Sequence, residues 1–164
     1  MQESHPIKIY SRFDIQWQTE DDTPYYENIL AWLTPEAVEV KELLRESADS
    51  ISEITNGNIT FIGGYQGING ISNEGVTSAQ AMAIMNAFAG RMNVKYVAAP
   101  FSSSGKEMQR ISTTSEVINL RSGLCIETAL TVASVLQATG MHTMLIILPT
   151  HAQQISPIYP MNII

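Results

Sequence analysis

The clearest hydrophobic pattern in the chain follows its single cysteine, Cys125. Apolar side chains recur there at steps of three and four residues, which predicts a helix with one broad buried face. These positions are Ile126, Ala129, Leu130, Val132, Ala133, Val135 and Leu136. Ser122 and Gly123 are placed to cap the first turn, and Gly140 is a natural helix stop. The pattern therefore predicts a core helix that begins at Cys125 and ends just before Gly140.

An uninterrupted apolar run, residues 144–148, follows this helix and predicts a buried strand that ends at Pro149. A helix of about four turns, a short reversal and a strand running back along the helix would return the chain to the helix's N-terminal end. His151 stands just beyond that strand. The path therefore predicts that Cys125 and His151 come within hydrogen-bonding reach.

Two further helices are predicted earlier in the chain. Thr34 and Pro35 suit an N-cap and a first helical position, so a helix should begin there and run to about residue 54 or 55. Thr77 or Ser78 should cap another helix that continues to about Met92. We expect the methionine-rich face of this second helix to fill the core rather than form a groove. Its predicted inward positions are Ala81, Met82, Met85, Phe88, Ala89 and Met92.

The first 24 residues differ in pattern from the rest. Residues 7–15 alternate apolar and polar side chains, which predicts a strand that either pairs at a sheet edge or is left over from a preceding domain. Residues 1–24 are thus a lead or linker, and residues 25–164 form one domain. A short helix is expected over residues 25–33, and a short strand over residues 94–98.

Composition narrows the class of protein. With 164 residues, 45% hydrophobic content and 15% charged content, the chain can bury the core of one domain. Its net charge is −7 and basic residues do not cluster, which argues against nucleic acid as a partner. No signal peptide and no run long enough to span a membrane is seen, so we expect a cytoplasmic protein without a membrane partner. One cysteine and three scattered histidines predict neither a disulfide nor a metal site.

The glycine-rich stretch, residues 59–75, has neither the Lys-Ser/Thr pair nor the dinucleotide spacing of a phosphate-binding loop. It predicts a flexible surface loop.

Cys125 is the candidate nucleophile of the chain. A thiol in the first turn of a helix lies where unpaired backbone N–H groups and the helix dipole favour the thiolate. The same N–H groups can donate to an oxygen that gains charge when a carbonyl is attacked. A neighbouring imidazole at His151 would complete an activated cysteine nucleophile. The alternative is that Cys125 is a small buried hydrophobe and His151 a turn residue.

The segment Arg121-Ser-Gly-Leu-Cys-Ile-Glu-Thr-Ala-Leu-Thr-Val-Ala-Ser-Val-Leu-Gln-Ala-Thr-Gly140 resembles the core of the transglutaminase-like superfamily of papain-like cysteine enzymes, and in particular its bacterial members. In that superfamily a Gly-x-Cys opens the central helix, a glycine ends it, a strand follows, and a His-Ala pair begins the next strand. Gly123, Cys125, Gly140 and His151-Ala152 stand in that register. The resemblance is firm over residues 94–152 and does not reach the first thirty or so residues.

The resemblance implies an α+β, papain-like fold with the helix that begins at Cys125 packed on a small antiparallel sheet. It implies Cys125 and His151 as the catalytic pair, Gln109 as a candidate oxyanion donor, and no cofactor. The alternative for Gln109 is a side chain that only ties its loop to the domain. The family's third member is usually an Asp after the histidine, but residues 152–164 contain no Asp or Glu. Asn162 is the candidate from that stretch.

The function expected from these residues is a thiol-dependent hydrolase or acyltransferase that acts on an amide in a peptide or protein. The alternative is an inactive module of the same fold that binds a peptide or protein partner, which the missing acid supports. A third interpretation places the last strands in a longer parent chain, because the apolar ending, residues 160–164, suits a cut inside a domain. Apolar surface left uncovered by such a cut would favour a homodimer.

Overall fold

The structure, a computed structural model, describes residues 7, 11–19, 21–98, 108–148 and 151–155, and in the last range it describes the side chain of Ala152 only. These ranges hold four α-helices: α1 Val38–Ile54, α2 Asn73–Asn86, α3 Thr114–Leu120 and α4 Cys125–Ala138. A 3-10 helix, Tyr26–Trp32, precedes α1, and one π-helical stretch, Ala87–Arg91, extends α2. None of the helices in these ranges has the length and apolar character needed to cross a bilayer.

Six short strands pair two by two within the described ranges. They are β1 Asp14–Ile15, β2 Lys95–Tyr96, β3 Gln109–Arg110, β4 Ser122–Gly123, β5 Met144–Leu148 and β6 His151–Ile155. Strand β1 pairs antiparallel with β3, β2 pairs parallel with β4, and β5 and β6 form an antiparallel hairpin in which Leu148 faces His151. The mixed helix and small sheets confirm the α+β class.

Helix α4 is the centre of the packing. It begins at Cys125 and ends at Ala138, with Gly140 in a left-handed conformation just beyond, as its pattern predicts. Nearly every residue up to Leu136 is buried, because α1, α2 and α3 pack against it and the β5–β6 hairpin lies along it. The helix is therefore buried on more than the single face that its periodicity predicts.

Glu39 joins α1 to α3. Its carboxylate accepts hydrogen bonds from the Ser115 hydroxyl at 2.7 Å and from the Asn119 amide at 3.1 Å. The Ser115 hydrogen bond is the largest of the causes that hold the pKa of Glu39 below its ordinary value, because it stabilises the charged form. This contact fixes α3, the helix that leads into β4 and Cys125.

The glycine-rich loop is anchored rather than free. The buried amide of Gln80 accepts hydrogen bonds from the N–H groups of Gly63 and Gly64 at 2.7 and 2.9 Å and donates to the Gly64 carbonyl at 2.8 Å. Gly64 has φ +66°, and a Cβ there would lie 2.3 Å from the Thr139 carbonyl oxygen. The loop therefore closes over the C-terminal end of α4 and could not do so with a larger residue at Gly64.

Three sequence predictions about element boundaries or capping are wrong. Residues 34–37 form a turn in which the Ala37 N–H donates to the Thr34 carbonyl, so α1 begins at Val38 rather than beside Pro35. Helix α2 begins earlier than predicted because Ser72 caps it by accepting from the Gly75 N–H. Ser122 and Gly123 do not cap α4, because both belong to strand β4.

Two predicted packing faces are also wrong. Met82 and Met85 of α2 are exposed, and the buried side of that helix instead carries Gln80, Ala83 and Ile84. Gln80 can be buried there because its amide is satisfied by the glycine-rich loop. Strand β5 has the predicted bounds, but its Met144, Ile146 and Leu148 are exposed and only Leu145 and Ile147 pack on the core.

Candidate active site

Cys125 is the first residue of α4, and only 7% of it is exposed. The residue before it, Leu124, is extended, so the chain turns sharply into the helix at the cysteine. N–H groups in a helix's first turn have no carbonyl one turn earlier to bond. Cys125 therefore lies beside N–H groups that can donate to an oxyanion formed next to it.

A buried carboxylate two residues later holds this turn in place. One oxygen of Glu127 accepts from the Leu124 N–H at 2.8 Å, and the other accepts from the Ser112 N–H at 2.7 Å. Glu127 is 7% exposed, so both bonds are shielded from water. The side chain thus ties the start of α4 to the segment that precedes α3.

The glycine two residues before the cysteine permits close packing. A Cβ at Gly123 would lie 3.2 Å from the methyl group of Thr128 and 3.2 Å from Val117. The Thr128 hydroxyl in turn lies 3.0 Å from the carbonyl oxygens of both Leu124 and Cys125. A Gly-x-Cys sequence therefore has a structural reason here, because strand β4 passes directly beneath the first turn of α4.

A cavity of about 480 Å³ opens at Cys125. One wall is a stripe of α4, formed by Cys125, Thr128, Ala129 and Val132. Helix α2 and its π-helical extension contribute Met85, Phe88 and Ala89, and the remaining lining residues are Val94, Tyr96 and Ala152. The described residues that line it include no charged side chain. Cavities of this size are typical of small-ligand sites.

The structure brings the chain at His151 to this cavity. Ala152 lines it together with Cys125, and both belong to the same cluster of buried residues. The Cα atoms of consecutive residues are about 3.8 Å apart, so the backbone of His151 lies beside the cavity as well. Only the backbone of His151 is described, and Asn162 lies outside the described residues.

Gln109 lies on β3, and its amide oxygen accepts a hydrogen bond from the Trp17 indole N–H at 3.0 Å. Because an indole can only donate, this bond fixes which end of the amide faces Trp17 and turns the NH₂ group away from it. Trp17 is buried in the same cluster as Cys125. However, Gln109 is not one of the described residues that line the cavity.

The other described histidine is at the wrong end of α4. His142 follows the helix's C-terminus, where its backbone N–H donates to the Tyr65 hydroxyl at 3.3 Å. The glycine-rich loop that carries Tyr65 is therefore also remote from Cys125. Among the described side chains, no three His, Cys, Asp or Glu residues gather as a metal site.

The sequence pattern missed two contributors to the site, Trp17 and Met85, and it predicts Glu127 to be either a cap or a surface charge, of which the structure shows the cap. Trp17 lies in the lead segment, but it is 1% exposed and orients Gln109; its large apolar ring in an otherwise polar stretch was the available signal. Glu127 stands three residues after the N-cap Leu124, the position from which a glutamate reaches back to the cap N–H. The pattern of α2 predicts Met85 to lie in the core, because no local signal distinguishes a core methionine from one that lines a cavity.

The N-terminal lead itself pairs with the domain in the described residues. Asp14 and Ile15 of β1 face Arg110 and Gln109 of β3, and Ile15 is buried. Of the predicted strand over residues 7–15, the described part forms a turn at residues 12–13 and a strand only at Asp14–Ile15, which pairs with β3. Comparison of this chain with protein-family models, curated proteins and solved structures returned no match.

Proposed function

We propose that this protein is a thiol-dependent hydrolase or acyltransferase of transglutaminase-like type, which acts on an amide bond in a peptide or protein. The observation that carries the proposal is the position of Cys125, which begins a buried helix and lines an open cavity beside the strand that begins at His151. The resemblance of the Gly-x-Cys and His-Ala segments to that superfamily, and the packing of α4 against the β5–β6 hairpin, support the same conclusion.

In the proposed reaction, the sulfur of Cys125 attacks the amide carbonyl carbon while the imidazole of His151 takes the thiol proton. A C–S bond forms and the carbonyl oxygen becomes negative. The N–H of Cys125 would donate to that oxygen, and Gln109 is the candidate for a second donor. When the intermediate collapses, the C–N bond breaks and the amine leaves with the proton returned by His151.

The resulting thioester has two fates. Attack by water gives a carboxylic acid and restores the thiol, which is hydrolysis. Attack by another amine gives a new amide and also restores the thiol, which is acyl transfer. Asn162 is the proposed third member that would orient the imidazole in either case.

Acyl-enzyme formation tests this proposal directly. The protein would be incubated with p-nitrophenyl acetate and the acetyl group located by peptide mass spectrometry. We expect acetylation of Cys125 at pH 7 at least about tenfold faster than that of N-acetylcysteine, since an activated thiol is the better nucleophile. The Cys125→Ala variant should take up no acetyl group at that rate. A chase with methylamine against a chase with water alone would then separate transfer from hydrolysis.

A non-catalytic module that binds a peptide or protein partner is the second candidate. The absence of Asp and Glu from residues 152–164 favours it, because an imidazole without an orienting acid is a weaker base. The same experiment distinguishes the two, since a module of this kind should acetylate no faster than N-acetylcysteine does.

A further inference from the structure

We propose that the acyl group that Cys125 accepts carries an uncharged, apolar substituent, and that the cavity beside the thiol binds it. This inference rests on the proposed function and adds the class of substrate. It follows from where the cavity begins, what lines it and which apolar side chains α2 leaves exposed.

The cavity starts at the residue that carries the reacting thiol. Cys125, Ala129 and Val132 lie on one stripe of α4, so the cavity follows the helix for about 10 Å from the thiol. A group attached to the carbonyl carbon that forms a thioester at Cys125 would therefore extend along this stripe. That length suits a chain of several carbons or one large side chain.

The walls select against charge. Phe88, Val94 and Ala129 are buried apolar residues of the lining, and the Thr128 hydroxyl is already within hydrogen-bond distance of two backbone carbonyls. A carboxylate or ammonium group placed there would lose its hydration without gaining a described partner of opposite charge. An alkyl or aromatic group would instead exclude water from apolar surface.

Met85 is exposed, and its place in the lining of the cavity accounts for that exposure. Met85 is 48% exposed although it is large and apolar, and it lines the cavity. Met82, one turn earlier on α2, is 54% exposed and does not line it. An unbranched thioether at the mouth of an apolar site can adapt to substituents of different shape. Met85 is thus a specificity-determining position, and Met82 is its matched control.

Three activated esters test the inference: p-nitrophenyl acetate, p-nitrophenyl hexanoate and mono-p-nitrophenyl succinate. In each reaction the sulfur bonds to the acyl carbon, the ester C–O bond breaks, and p-nitrophenolate leaves with the electron pair. Rates of p-nitrophenolate release would be divided by the rates of the same esters with N-acetylcysteine. Peptide mass spectrometry would confirm that the acyl group is on Cys125.

We expect the corrected rate of hexanoyl transfer to exceed that of acetyl transfer by at least about tenfold, since each methylene buried in an apolar site contributes to binding. Succinyl transfer should be the slowest. In Met85→Glu the ratio of hexanoyl to acetyl transfer should fall about tenfold, whereas Met82→Glu should keep the wild-type ratio. Met85→Lys should raise succinyl transfer relative to Met82→Lys.

Two results would overturn the inference. If Cys125 is acetylated rapidly but the hexanoyl ratio is near one and the Met85 and Met82 variants behave alike, the cavity does not select the acyl group, and the proposed function stands. If none of the three esters reacts faster with Cys125 than with N-acetylcysteine, both proposals fail. Thermal unfolding of each variant checks that the exposed substitutions leave the fold intact.

Discussion

The two ends of α4 are built in opposite ways. At the C-terminal end, the glycine-rich loop closes over the helix so tightly that Gly64 meets the Thr139 carbonyl, and Met141 is buried. At the N-terminal end, the helix begins at Cys125 in the wall of an open apolar cavity. One end of the same helix is closed by backbone packing, and the other is left open beside a thiol.

The C-terminal end of α4 therefore contributes mainly to stability, and the N-terminal end carries the residue proposed to do the chemistry. The closed end depends on backbone contacts that tolerate no added atom. The open end depends on a clamp, Glu127, that holds the first turn while leaving space beside the sulfur. Substitutions at the closed end should therefore lower the free energy of unfolding without changing the reactivity of Cys125 in the molecules that remain folded.

The substitution Gly64→Ala should have the largest effect on stability. It combines a left-handed backbone with a Cβ 2.3 Å from a carbonyl oxygen, so we expect a loss of about 3 to 5 kcal/mol in the free energy of unfolding. Urea unfolding would measure it. Gly70→Ala is the control, because its φ is +86° but no atom lies within 4 Å of the added Cβ. That variant should lose only about 1 kcal/mol. Equal losses would show that the close approach at Gly64 is unimportant.

The substitution Glu127→Gln tests the clamp at the open end. The amide keeps one acceptor but turns an NH₂ group toward a backbone N–H, so we expect a loss of about 2 kcal/mol by the same measurement. Glu74→Gln is the matched control, because Glu74 also lies in the first turn of a helix but is exposed. It should change stability by about 0.5 kcal/mol or less. If Glu127→Gln and Glu74→Gln lost the same free energy of unfolding, the two hydrogen bonds of Glu127 would not be needed to hold the first turn.

The substitution Glu39→Gln should have the smallest effect and a defined pH dependence. The carboxylate is partly exposed, so we expect a loss of about 1 kcal/mol at pH 7. Because the pKa of Glu39 is held below its ordinary value of 4.5, its contribution is complete above that pH. The contribution disappears as the pH falls through the lower pKa of the folded state. Wild type and variant should therefore begin to converge in stability as the pH falls below 4.5, and they should be alike once the pH is below the folded-state pKa.

The control for Glu39 is Glu42→Gln, at an exposed position on the same helix, which should differ little from wild type at any pH. The free energies of unfolding of wild type and Glu39→Gln could instead differ by a constant amount as the pH falls to about 2.5, which is well below the ordinary carboxyl pKa. That result would contradict the assigned role of the carboxylate.

The sequence predicted α4 and the β5–β6 segment well because their signals are local. The apolar run after Cys125 and the glycine at Gly140 set both ends of α4. Residues 144–148 form β5 as predicted, and the next strand begins at His151. The juxtaposition of Cys125 with Ala152 then follows from the length of the helix and the return of the strand.

The features that sequence reasoning missed depend on contacts between distant segments. Gln80 is buried and Met85 exposed because the glycine-rich loop supplies partners for the amide, which no periodicity in α2 records. Trp17 reaches Gln109 across 92 positions of sequence. Ser122 does not cap α4 because it pairs with Lys95, 27 positions earlier, in strands β4 and β2. A local pattern carries no signal for such long-range contacts.

The most direct test of an activated Cys125–His151 pair is the rate at which iodoacetamide alkylates Cys125 as a function of pH, in the wild type, His151→Ala and His142→Ala. We expect alkylation at pH 7 at least about tenfold faster than that of N-acetylcysteine. The acceleration should be lost in His151→Ala and kept in His142→Ala, because His142 lies at the closed end of α4. Slow alkylation that is the same in all three proteins would contradict this expectation, and Cys125 would then be a buried structural residue.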